Sequence, residues 1–169
     1  MQRFSMIYQN YHPWIIPFHV HPTLELHYIL AGKGQIQIED RLFSVKSNDI
    51  YVTLPFVPHQ QISDADEVME EYCISCTLSF SDAPCECPEE IDLLRRFIST
   101  QLFCSCEAPA PLLPMLKQLE WEFDHEAVYH RLQGKLLTLE CVIEFLRALA
   151  GSARTGKAGV IPIIRIIWP

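Results

Sequence analysis

His19-Val20-His21-Pro22-Thr23-Leu24-Glu25 and a later His59 are the residues of this chain best suited to chemistry. On an extended strand, side chains two apart point to the same face, so His19 and His21 share a side. Glu25 keeps that parity if the chain stays extended past Pro22. His59 opens a later apolar run that can lie beside the first pair. Three imidazoles and one carboxylate on one inner wall suit a mononuclear divalent transition metal, Zn, Ni, Fe or Mn, with positions left open for substrate or water. The same four side chains also suit the polar wall of a small-molecule pocket. His27 shares parity with Glu25 and joins the candidate ligand-binding set, alongside Ile29. Tyr28 faces the other way by the same rule.

Strands must position these residues. Short apolar or alternating runs occur at Trp14–His21, Thr23–Ala31, Gln35–Glu39, Leu42–Val45, Ile50–Leu54, His59–Ser63 and Val68–Phe80. Pro22, Gly32-Lys33-Gly34, Glu39-Asp40 and Ser47-Asn48-Asp49 separate them as turn signals. Many short strands at near-regular spacing predict a sandwich or barrel over residues 1–84. Trp14, Phe18, Tyr28 and Tyr51 lie near the His/Glu residues. They offer aromatic faces for a sugar or aryl effector, or ordinary core packing.

The period changes after the Pro- and Cys-containing link Asp82–Pro88. Glu89-Glu90 opens a helix with Ile91, Leu94 and Ile98 on one stripe. A break is expected at Ser105–Pro111, then helices over Leu112–His125 and Val128–Ala150. In the last helix Leu132, Leu136, Leu139, Ile143 and Leu146 recur at alternating four- and three-residue steps, a seam fit for a partner helix. Residues 85–150 thus read as a helical dimerisation segment, and 151–169 as a linker and apolar tail.

The bulk numbers exclude several classes. Of 169 residues, 49 % are hydrophobic and 20 % charged, an ordinary globular balance. Net charge is −8, and no basic cluster offers a face to nucleic-acid phosphates. No apolar run is long enough to span a bilayer and no secretory leader opens the chain, so the expected location is cytoplasmic. The seven cysteines follow no disulfide framework. Cys73 and Cys76, three apart on a strand, point to opposite faces. Cys85-x-Cys87 and Cys104-x-Cys106 flank one predicted helix and can meet as a four-sulfur or redox site, although free thiols are the simpler reading. The acidic runs Asp64–Glu71 and Glu120–Glu126 read as solvated faces.

His19-x-His21, Glu25 and Gly32 resemble the first motif of the cupin superfamily, with Pro13 in place of its leading glycine. The second motif is carried by His59. Asn48 and Phe56 stand where its glycines are usual. The longer string from His19 through Glu25-Leu26-His27-Tyr28 to Gly32-Lys33-Gly34, then Asn48-Asp49-Ile50 and Pro55-Phe56-Val57-Pro58-His59, is similar to the N-terminal sensor domain of AraC-type bacterial transcription regulators. The resemblance implies a cupin-like β-barrel followed by helices. It implies a small-molecule effector in the barrel, a homodimer through the helices, and metal ligands at His19, His21, Glu25 and His59. DNA would be contacted only through a further domain that this chain lacks. The chain is then a sensor and not an enzyme. A small metal-dependent cupin enzyme of dioxygenase or sugar-isomerase type is the alternative.

Overall fold

The computed structural model describes residues 12–77, 88–155 and 161–162. Seven strands come first: β1 (Ile15–His19), β2 (Leu24–Ala31), β3 (Lys33–Ile38), β4 (Arg41–Lys46), β5 (Asp49–Thr53), β6 (His59–Ser63) and β7 (Glu70–Cys76). Helix α1 (Pro88–Thr100), strand β8 (Gln101–Glu107), helices α2 (Leu112–His125) and α3 (His130–Thr155) and a short β9 (Ile161–Pro162) follow. The strands form two antiparallel sheets, ordered β1-β6-β3-β4 and β7-β2-β5-β8-β9. The expected β-barrel with helices behind it is what the chain adopts.

Alternation builds the barrel. In β3, Gly34, Ile36 and Ile38 are buried while Lys33 and Gln35 are exposed. Ile36 and Ile38 join Ile29, Val45, Tyr51, Met69 and Phe103 in a core between the sheets. Gly32 takes φ +71, and a Cβ there would meet the Val68 carbonyl oxygen at 2.0 Å, so only glycine fits between β2 and β3.

The five-stranded sheet is covered on its other face too. Leu24, Leu26, Ile50, Val52, Ile74 and Cys104 pack outward against Leu112, Leu116 and Leu119 of α2 and Leu137, Cys141 and Phe145 of α3. The helical residues recur at three- and four-residue steps, the amphipathic pattern a sheet-covering helix needs. Burying each such side chain contributes about 1.5–3 kcal/mol. The other stripe of α3 carries the predicted seam. Leu132, Leu136, Leu139 and Ile143 are exposed, and Leu146 packs partly against the core.

Three expectations need correction. Residues 101–107 form a strand where the sequence suggests the end of a helix and then a break, because β5 offers its free edge and pairs Tyr51 with Ser105 and Val52 with Cys104. Helix α3 continues to Thr155, through the first part of the expected linker. The acidic runs are not wholly solvated, since Glu71 and Glu122 are buried. Cys85, Cys87 and the tail residues 163–169 lie outside the described residues.

Candidate metal centre

His19, His21, Glu25 and His59 come together at one end of the barrel, and one ligand atom from each lies within 4.8 Å of all the others. Strand pairing does part of this, since His19 at the end of β1 sits directly opposite His59 at the start of β6. Their rings are 4.2 Å apart, and the His21 and His59 rings 4.9 Å. Glu25 enters from β2. Its Oε2 lies 3.0 Å from His21 Nε2 and 3.9 Å from His59 Nε2.

The loop before β6 holds His21 in place. The Phe56 amide donates to the His21 carbonyl at 2.8 Å. Phe56 has φ +62 and Asn48 φ +70, so both non-glycine residues take the left-handed conformation that glycine adopts freely. The turns survive the substitutions at a cost in local strain, which is larger for Phe56 than for Asn48.

Each imidazole is fixed by its far nitrogen. Nδ1 of His19 bonds the Pro17 carbonyl, that of His21 the Thr23 carbonyl and that of His59 the Val57 carbonyl, each at 2.9 Å. A carbonyl only accepts, so the proton sits on Nδ1 and the Nε2 lone pair is left for the cluster. The buried Nε2 atoms of His21 and His59 have no hydrogen-bond partner; with the proton on Nδ1, the 3.0 Å contact of His21 Nε2 with Glu25 sets two acceptors face to face. Orphaned buried nitrogens aimed at one carboxylate are what a divalent cation would satisfy. The His/Glu set is therefore able to hold a metal ion.

The electrostatics agree. Burial pushes the His59 pKa down to about 4, helped by the neighbouring His19 and His21 rings and opposed by its Val57 bond, so this ring stays neutral. Contact with Glu25 raises that of His21. Burial opposes ionisation of Glu25, yet His21 and His27 outweigh it and hold the carboxyl far below the usual range.

Behind the cluster the interior is polar. His27 is buried, stacked on Tyr51 with the rings 4.2 Å apart and 2° from parallel. Its Nε2 faces Glu25 Oε2 at 3.5 Å and its Nδ1 faces Glu71 Oε2 at 3.4 Å. Tyr51 donates to Glu71 at 3.0 Å, and Gln61 donates to the Tyr51 hydroxyl at 2.7 Å. Burial alone would lower the His27 pKa, but contact with Cys73, Glu71 and Glu25 raises it well above the ordinary imidazole value, while burial keeps Cys73 itself a thiol by raising its pKa. Thr53 pairs with Glu25 across β5 and β2, and its buried hydroxyl has no partner.

Sequence reasoning missed Glu71, Gln61, Thr53 and Cys73 as neighbours of the site. Parity along β5, β6 and β7 carries the only available signal. Of the candidate aromatics, Tyr51 lies inside the barrel, and Tyr28 faces out and donates to Asn48 at 3.1 Å. Trp14 packs at the edge of the inner core and donates to the Met69 carbonyl. Phe18 is exposed. Tyr51, Phe103 and Met69 are fully buried and fill the barrel between the sheets. Two surface concavities, of about 540 and 340 Å³, lie elsewhere, at the β3–β4–β6 end and between α2 and α3.

A barrel of two antiparallel sheets with a His/Glu cluster at one end defines a cupin-type binding domain. A sequence profile of the AraC-like ligand binding domain matches residues 3–97, more than half of the chain, and the chain belongs to this family. No curated protein matches. Among solved structures, ToxT from Vibrio cholerae is similar at 12 % identity and TM-score 0.47 over 70 % of this chain and 46 % of that one. The Schizosaccharomyces pombe Cnp3 cupin domain is similar at 13 % identity and TM-score 0.38, over 57 % and 72 %. A mutant of Bacillus subtilis oxalate decarboxylase is similar at 20 % identity and TM-score 0.35, over 41 % of this chain and 19 % of that one. The chain thus spans about a fifth of the decarboxylase. Among the described residues no helix is long and apolar enough to cross a membrane.

Proposed function

We propose that this chain is the effector-sensing and dimerisation part of a bacterial transcription regulator, and that its barrel binds a small polar metabolite, such as a sugar, at the His/Glu end. The reading rests on one observation: three imidazoles, each tied by Nδ1 to a backbone carbonyl, gather around Glu25, with the Nε2 atoms of His21 and His59 3.0 and 3.9 Å from its Oε2. A divalent transition ion, Zn, Ni, Fe or Mn, would be held by His19, His21, Glu25 and His59. Such an ion supplies Lewis acidity to an oxygen donor of the metabolite. Thr53 supplies a buried hydroxyl beside Glu25. An effector can shift the protein between states only by binding one of them better. With a net charge of −8, DNA contact is assigned to a separate domain and not to this one.

Metal titration of chelator-stripped protein tests the reading. Zn(II) at about 100 times its dissociation constant should stabilise the fold by about 2.7 kcal/mol. His59→Ala should weaken binding by about 100-fold or more, since even residues that only orient a ligand change affinity by 10–100-fold. Equal Zn(II) affinity in wild type and His59→Ala would overturn the ion site. Pairing of two copies is assigned to the exposed stripe Leu132, Leu136, Leu139 and Ile143. Sedimentation should show a dimer that Leu136→Glu with Leu139→Glu converts to a folded monomer. A wild-type monomer at high concentration would reject this surface.

A further inference from the structure

We propose that Glu25, His27 and Cys73 form a second cation site directly behind the first, taking a thiolate-preferring divalent ion such as Zn(II) and sharing Glu25 with its neighbour. The inference rests on the reading of the first centre only through that shared carboxylate. Glu25 and His27 occupy successive inward positions of β2, and Cys73 lies directly opposite His27 on β7. His27 Nε2 is 3.5 Å from Glu25 Oε2 and 3.9 Å from Cys73 Sγ. The three donor atoms all lie within 4.8 Å of one another. Ligands held about 2.0–2.3 Å from a tetrahedral ion stand roughly 3.3–3.8 Å apart, so small side-chain shifts close the site.

The surroundings of His27 are those of a metal-bound imidazole. Its Nδ1 faces Glu71 Oε2 at 3.4 Å. Ligation through Nε2 would put the ring proton on Nδ1, where Glu71 accepts it and the Gln61 amide, 3.3 Å from Nδ1, would have to turn away. A carboxylate behind the far nitrogen is the usual support for a ligating histidine. Stacking on Tyr51 fixes the ring plane. Charge points the same way. Two carboxylates and a thiol surround one imidazole, and among the described residues no Lys or Arg pairs with Glu25 or Glu71. With Glu25 shared between the two ions, the second dication is offset by the Cys73 thiolate and by the Glu71 carboxylate that supports His27. Binding forms a metal–sulfur bond, releases the Cys73 thiol proton and any His27 Nε2 proton to water, and changes no oxidation state. His27 and Cys73 are 1 % and 4 % exposed, so the ion reaches them past Glu25. The nitrogen, oxygen and sulfur donors favour Zn(II) or Co(II) over Mg(II), Ca(II) or Mn(II). The rival arrangement is a charged His27 bridging Glu25 and Glu71 with no ion.

Co(II) titration of chelator-stripped protein separates the two, because a Co(II)–thiolate bond absorbs in the near ultraviolet. Wild type should bind two Co(II) and show this band. Cys73→Ser should bind one without the band, and His19→Ala should keep the band. One Co(II) with a band that Cys73→Ser abolishes would uphold the second site and overturn the first. No band in wild type, or a band that survives Cys73→Ser, would overturn the second site. Should Cys73→Ser fail to fold, X-ray absorption of the Zn(II) protein carrying Cys85→Ser, Cys87→Ser and Cys106→Ser decides. A sulfur at about 2.3 Å from zinc supports the site, and its absence overturns it.

Discussion

The two faces of the five-stranded sheet come from the same strands and differ in chemistry. The outer face is apolar, while the inner face joins an apolar core around Ile29 and Phe103 to a polar cluster at the His/Glu end. Inward stand Glu25 and His27 of β2, Tyr51 and Thr53 of β5, and Glu71 and Cys73 of β7. Outward stand Leu24, Leu26, Ile50, Val52, Tyr72 and Ile74, packed on α2 and α3. Successive residues of one strand thus belong to a site and to a core. The outer face gains from removing apolar surface from water. The inner face must meet the cost of burying charge with paired and hydrogen-bonded groups. Stability should therefore follow the outer residues and ligand affinity the inner ones, even where the two are adjacent in sequence.

The largest expected separation is at Leu26, which is fully buried on the outer face between two inner-face site residues. Leu26→Ala should lower unfolding free energy by about 2–5 kcal/mol. The remaining folded protein should bind Zn(II) unchanged. A loss of affinity as large as that in His59→Ala would show that the two faces are not independent.

Acid should act on the inner face. Folding lowers the His59 pKa from 6.5 to about 4, so the unfolded chain binds more protons in that interval. The His59 contribution is present above pH 6.5 and is lost as pH falls toward 4. His21 and His27 are shifted upward and act in the opposite sense. The His59 part is therefore read as the difference between metal-free wild type and His59→Gln. With solvent screening, that difference should reach on the order of 2 kcal/mol between pH 6.5 and 4. Parallel stability curves for the two proteins would reject the assignment.

Thr53→Val tests the inner face from another side. Its hydroxyl is buried without a partner, so the metal-free protein should gain about 1 kcal/mol. Destabilisation by a similar amount would mean that the hydroxyl is satisfied in solution. The smallest effect is expected at the turn that holds His21. Phe56→Gly removes a left-handed non-glycine residue and should stabilise by a few tenths to about 1 kcal/mol, partly offset by greater freedom of the unfolded chain. Denaturant midpoints measure both changes.

Much of the site is legible in the sequence because its geometry is local. His19-x-His21 and Glu25 are close in sequence, although β1 ends at His19 and the chain turns through residues 20–23 into β2 of the other sheet, so this corner and not strand parity brings them together. Gly32 marks a turn that no side chain can enter. Helix α2 spans Leu112–His125 as its apolar pattern predicts. Other features are not local. Glu71 closes an acidic run and looks solvated until β7 is placed beside β2. Strand β8 has little pattern of its own and exists because β5 has an edge to fill. Cys73, excluded as a partner for Cys76 by strand parity, meets His27 from 46 residues away.

The sequence by itself therefore determined the strand periods, the close spacing of His19, His21 and Glu25, the amphipathic helices and the family. Tertiary structure alone decided which inward residues stand opposite one another, that Glu71 and Cys73 close around His27, and that one stripe of α3 is covered while the other stays exposed. The physical reason is range. Backbone geometry repeats every two or 3.6 residues and can be read along the chain. Hydrogen-bonded register joins strands distant in sequence, and only the folded sheet specifies it.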